Sequence, residues 1–135
     1  MMNVTQFHDG FKERTLGNLS LKNAFIKSAT YEGMYNDGVP NQKLIDHHVS
    51  MAEGGIALTT VSYGAVSPEG RTFSNQMYIH EGIANELTAL AHDVHQAGGK
   101  ISMQLTHCGY FSKNKVAGKP LSASRVRPLI TRAEM

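Results

Sequence analysis

Three short, strand-like runs rich in apolar residues, at 24–29, 56–61 and 100–105, each predict a β-strand. The middle run, Ile56-Ala57-Leu58-Thr59-Thr60-Val61, is almost unbroken in small apolar and β-branched side chains, as a strand covered on both faces should be. Between the runs the period lengthens from two to about 3.6 residues. Leu44, Ile45, His48, Val49 and Ala52 share one helical face, with Asn41 placed to cap the N-terminus and Gly54-Gly55 to stop the helix. Ile83, Leu87, Leu90, Ala91 and Val94 share another, stopped by Gly98-Gly99, with Glu81 and Glu86 near the end where the helix dipole favours acid. Strands alternating with such helices imply parallel pairing through right-handed crossovers. Ahead of them, Leu16-Gly17-Asn18-Leu19-Ser20-Leu21 predicts a small hairpin placed to plug the bottom of a barrel. Two polar stretches, 62–80 and 106–135, are long for connectors. Both follow the carboxyl ends of strands, where parallel α/β folds carry ligand-binding loops.

Composition narrows the class without pointing to a macromolecular partner. With 135 residues, 41% hydrophobic and 18% charged, the chain has the length and makeup of one globular domain. Thirteen Lys and Arg against eleven Asp and Glu leave a net charge of +2, too weak to argue for nucleic acid or an anionic membrane. One cysteine, Cys108, has no intrachain partner and fits a reducing compartment. The first residues lack the basic-then-apolar pattern of a secretory signal, and no apolar run approaches the roughly 20 residues needed to span a bilayer. A cytoplasmic location is the expectation.

The residues that could carry chemistry sit at the strand ends. There is no G-x-G-x-x-G after a strand and no P-loop pattern; the Gly-Gly pairs precede strands instead of opening helices. Seven histidines include His92 and His95 at helical i, i+3 spacing and the neighbours His47 and His48, but no H-E-x-x-H pattern and no cysteine pair, so no metal is expected. Cys108 beside His107 lacks a third orienting group, and adjacent residues usually point apart, which argues against a nucleophile pair. Gln104, near the end of the third strand, offers an amide donor and a carbonyl acceptor side by side. Such a group suits a planar heterocycle with alternating donors and acceptors; its plainer role would be to satisfy backbone groups at the strand mouth. Ser28, Ala29 and Thr30, ending the first strand, are small enough to admit a ligand closely, or form an ordinary polar terminus.

Taken in order, several segments resemble the old yellow enzyme family of NADH:flavin oxidoreductases at its N-terminal region. These are Leu21-Lys22-Asn23, Gly38-Val39-Pro40-Asn41 with Leu44-Ile45, Ala52-Glu53-Gly54-Gly55, Val66-Ser67-Pro68-Glu69-Gly70-Arg71, Val94-His95, Gly98-Gly99-Lys100, Gln104-Leu105-Thr106-His107-Cys108-Gly109 and Ser122-Ala123-Ser124. Each is weak alone; the ordered set over about residues 16–125 is specific. The resemblance implies a TIM (β/α)₈ barrel with FMN at its carboxyl mouth, reduced by NAD(P)H and passing hydride to a small-molecule acceptor such as an activated alkene. Residues 1–135 would then form the N-terminal portion of that flavin-binding domain: the first three βα units with parallel strands and an N-terminal hairpin. Carried over by position, Ser28, Ala29 and Thr30 line the flavin, Tyr31 contacts it near N5, Tyr63 stands at the end of strand two, and Gln104 bonds the pyrimidine edge.

The sequence departs from the family pattern at Ala29, where proline is common, and at Tyr31, where a smaller side chain is usual. It departs again at Ser62, where an acidic residue is common, and at Tyr110, where arginine is. The substrate-binding polar pair, the proton-donating tyrosine and the phosphate grip come from later strands in the family, so no catalytic residue is assigned in this chain. An open three-stranded sheet exposes two edges, which predicts self-association or a complementary C-terminal half as partner. Two other readings stand beside the flavin one: a remnant that keeps the start of the fold and binds no flavin, and a small α/β binding module unrelated to the family.

Overall fold

The computed structural model describes residues 8–113 and 121–124. A hairpin of β1 (Arg14–Leu16) and β2 (Leu19–Leu21) comes first, followed by β3 (Ile26–Lys27) and a second hairpin, β4 (Tyr35–Asn36) and β5 (Val39–Pro40). Helix α1 (Gln42–Glu53), β6 (Leu58–Ala65), a 3₁₀ turn at Glu81–Ile83, α2 (Ala84–Gln96) and β7 (Lys100–Thr106) complete the unit, with a last 3₁₀ turn at Gly109–Phe111. The main sheet has the order β3-β6-β7 and is parallel throughout, as the alternation of strands and helices predicts. It is open, and β3 and β7 are its two edges.

The helix boundaries follow their sequence signals. The side chain of Asn41 accepts from the Leu44 N–H at 3.2 Å, and Gly55, with φ +100°, turns the chain out of α1 in the left-handed region. Asn41→Ala should therefore cost about 1 kcal/mol, read as a lower urea midpoint with an unchanged m-value. Leu44, Ile45 and Ala52 of α1 pack with Leu90 and Val94 of α2 and with Val61 of β6 into one core, flanked by Ile101 and Met103. A second, smaller cluster joins Ala57 and Leu58, at the start of β6, to Leu21 of the first hairpin.

Three strand boundaries differ from expectation. The first strand, expected over 24–29, pairs only at Ile26 with Leu58 and Lys27 with Thr59, because β3 is an edge whose chain turns away at Ser28. The second, expected over 56–61, starts two residues later at Leu58 and runs on to Ala65, where the returning loop bridges Ala65 to Tyr78 in parallel. The third, expected over 100–105, extends by one residue to Thr106. The hairpin β4–β5 was not expected at all. Its turn places Asp37 and Gly38 at φ 48° and 84°, the paired positive angles for which an Asp-Gly dipeptide is suited.

Candidate functional site

The carboxyl ends of the three parallel strands bring the predicted residues to one end of the sheet. Ser28 and Thr30 are exposed just past β3, and Ala29 is half-buried between them. In β6 two residues, Ser62 and Tyr63, oppose the single Gln104 of β7, since Val61 registers with Met103 and Gly64 with Leu105. This is a β-bulge, and Tyr63 within it has φ 53°, a left-handed value that is uncommon for a residue other than glycine. By alternation along β7, Gln104 shares the face of Ser102, whose hydroxyl meets Thr60 Oγ1 at 2.8 Å, away from the helices. Gln104 is exposed, and its amide makes no hydrogen bond among the described residues. It does not satisfy backbone groups at the mouth.

Tyr31 and Tyr63 lie together, with ring centroids 5.7 Å apart, and Phe73 of the following loop packs on the other side of Tyr31 at 5.5 Å. Each of the three rings is between 36% and 38% exposed, so together they form a half-open aromatic wall. Phe73 was missed in the sequence, where the length of the 62–80 stretch was the one sign that it carried more than a connection.

Behind the wall is a buried polar knot that the sequence did not announce. Lys27 Nζ donates to Glu32 Oε1 at 2.8 Å, and Ser62 donates its hydroxyl at 2.8 Å and its N–H at 3.3 Å to Glu32 Oε2. Tyr35 donates its hydroxyl to the Ser62 carbonyl at 2.9 Å. A carboxylate thus reaches Ser62, carried by the segment that follows β3. Burial opposes the charge of Glu32, yet the Lys27 ammonium and the Ser62 donors together hold its carboxyl below the usual range. Burial, with the Glu32 charge added, pushes the Tyr35 phenol far up. His48 is fully buried on α1, with Nδ1 2.7 Å from Thr59 Oγ1 and Nε2 3.6 Å from Glu32 Oε1. It belongs to the core. Among the described residues no group of three potential metal ligands occurs.

Other features sit away from the mouth. An apolar cleft of about 180 Å³ lies between α2 and the middle of β7, lined by Leu87, Leu90, Ala91, Ile101 and Met103 among others. Arg71 is 6% exposed and turned inward: Nε donates to the Pro68 carbonyl, Nη1 to that of Ser74, and its guanidinium covers Tyr78. It is engaged by its own loop and is not presented to an anion. His107 Nδ1 accepts from the Gly109 N–H at 3.1 Å. No helix among the described residues is long and apolar enough to cross a membrane.

Residues 11–128 match the NADH:flavin oxidoreductase / NADH oxidase family. Over 99 residues the chain is 38% identical to the 4,4'-dithiodibutanoate disulfide reductase of Rhodococcus erythropolis, covering 73% of this chain and 25% of that protein. Among solved structures it is similar to a variant of morphinone reductase in complex with tetrahydroNAD, with TM-score 0.71 and 26% identity over 76% of this chain and 28% of that one. The Old Yellow Enzyme from Pichia sp. AKU4542 shares the fold at TM-score 0.72 and 21% identity, over 77% of this chain and 28% of that one. The chain therefore spans about a quarter of the length of these relatives. On the family match and the parallel sheet together, the chain belongs to the NADH:flavin oxidoreductase / NADH oxidase family.

Proposed function

We propose that these residues form the ring-facing opening of a (β/α)₈ barrel that binds FMN and serves an NAD(P)H-dependent oxidoreductase. The supporting observation is the unengaged amide of Gln104 opposite the bulge that carries Tyr63, on strands whose carboxyl ends point the same way. The residues present fit a flat heterocycle: hydroxyls at Ser28 and Thr30, an aromatic wall at Tyr31 and Tyr63, and a donor–acceptor pair at Gln104. When bound, FMN supplies the chemistry, accepting hydride from reduced nicotinamide and delivering it to an acceptor. Gln104 would donate to a ring carbonyl and accept from a ring N–H. Ser28, Ala29 and Thr30 would allow close approach along β3, and the two tyrosines would shield one side from water.

The open edges of β3 and β7, with Leu105 at 62% and Ile26 at 48% exposure, favour a covering partner over a free-standing remnant. The remaining strands of such a barrel, supplied as a complementary half, would cover both. The chain, alone and mixed with a polypeptide bearing those strands, should be titrated with FMN while flavin fluorescence is followed. Binding in the mixture is expected; no binding in either case would leave the flavin-free remnant as the reading. In the flavin-binding form, Gln104→Leu should weaken FMN by about 1–3 kcal/mol, because polar ring atoms lose their partner. An unchanged dissociation constant would remove Gln104 from the site.

A further inference from the structure

We infer that Gln76 is a positioning residue that holds the β-bulge at Ser62–Tyr63 and sets the spacing of the Tyr63–Tyr31–Phe73 wall. Its relevance to FMN rests on the function proposed above, but the geometry stands apart from it. Tyr63 has two reasons not to be where it is. Its φ of 53° brings Cβ against backbone in a way that L-residues avoid. Regular alternation would also send its side chain to the helix side, after Thr59 and Val61. The bulge overrides both and turns the ring out beside Tyr31.

Glu32 and Tyr35 bond the backbone of Ser62 in this bulge, and Gln76 bonds that of Tyr63 from outside the strand. It is completely buried, its Nε2 donates to the Tyr63 carbonyl at 2.8 Å, and its Oε1 accepts from the Thr72 N–H at 2.7 Å. Its own N–H donates to the Phe73 carbonyl at 3.2 Å. One residue is thus bonded to the backbone at both outer rings of the wall, with Tyr31 between them. The loop around it is tied down as well: Ala65 N–H donates to the Met77 carbonyl, Ile79 N–H to the Ala65 carbonyl, and Gly38 N–H to the Asn75 carbonyl. Gln76 is therefore a fixed point against which a strained strand end is held, and its amide is matched to one acceptor and one donor. A methionine would fill the space and supply neither bond.

The test uses the full chain with labelled tyrosine rings. Gln76→Met should remove the proton–proton contact between the Tyr31 and Tyr63 rings while helical circular dichroism is kept. The Gly64 and Leu105 amides that follow the bulge should exchange about tenfold faster, in line with the strain of one left-handed residue. Adding Tyr63→Gly, which accepts that backbone state freely, should recover most of the lost protection. If Gln76→Met leaves the ring contact in place, or if the glycine recovers nothing, Gln76 is a packing residue only and the inference fails. Should Gln76→Met alone unfold the chain, refolding of the double variant supports the inference, and failure to refold overturns it. An FMN titration of the same proteins separates the two readings. Absence of FMN binding by wild type, with or without the complementary half, speaks against the proposed function and leaves the ring-contact outcome to decide on Gln76.

Discussion

Glu32→Ala is expected to lower stability by about 3–5 kcal/mol, the cost of leaving one member of a buried ion pair without the other. The Glu32 side chain is 4% exposed and that of Lys27 16%, so water cannot replace the lost partner fully. Lys27 would keep only the Thr60 carbonyl at 3.2 Å and a long contact to that of Ser28, and both Ser62 donors would lose their acceptor. Chemical denaturation reads the loss directly. Removing both charges, as Lys27→Met with Glu32→Leu, should recover a large part of it, since no uncompensated charge is then buried. A cost below about 1 kcal/mol for Glu32→Ala would mean that the pair behaves as a surface one. Because Glu32 follows Tyr31 directly and binds Ser62 next to Tyr63, the same variant should also loosen the contact between those two rings.

Stability should also fall by about 3 kcal/mol as pH drops from 6.5 to 4, through the titration of His48. Burial is the main cause of its depressed pKa, from 6.5 to about 4, against a smaller opposing pull from the Glu32 charge. In this window the unfolded chain binds a proton that the folded chain refuses, so acid favours unfolding; above pH 6.5 the penalty vanishes. Nδ1 shares a hydrogen bond with the Thr59 hydroxyl at 2.7 Å, while Nε2 stands 3.6 Å from the Glu32 carboxylate, too far for a hydrogen bond. Glu32 adds a second loss further down, since its lowered pKa contributes stability above the ordinary carboxylate value that drains away as pH falls through the folded one. His48→Gln should flatten the stability profile between pH 6.5 and 4 and leave the lower limb intact. A slope that persists in that variant would assign the titration to another group.

Most of the secondary structure was legible because it is written in local chemistry. Asn41, Gly55 and Gly98 act within one turn of their own position, and the apolar period of each helix needs only its own residues. The Asp37-Gly38 turn was equally local, and its dipeptide was there to be read. The candidate site was legible only in outline. Gln104, Tyr31 and Tyr63 could be placed at strand ends by counting. That Tyr63 faces Tyr31, and that Phe73 joins them, depends on a bulge that the strand's own alternation opposes.

By itself, then, the sequence determined the parallel β-α-β-α-β order, the helix limits and the family, since these follow from periodicity, capping residues and short ordered motifs. Tertiary structure alone decided that Lys27, Glu32, His48 and Ser62 meet, and that Gln76 reaches back to Tyr63. Those residues lie up to 30 or more positions apart, and their charges and amides are ordinary surface chemistry until packing takes them out of water. Burial turns each of them into a partner that some other residue must satisfy, and no local pattern along the chain records which one.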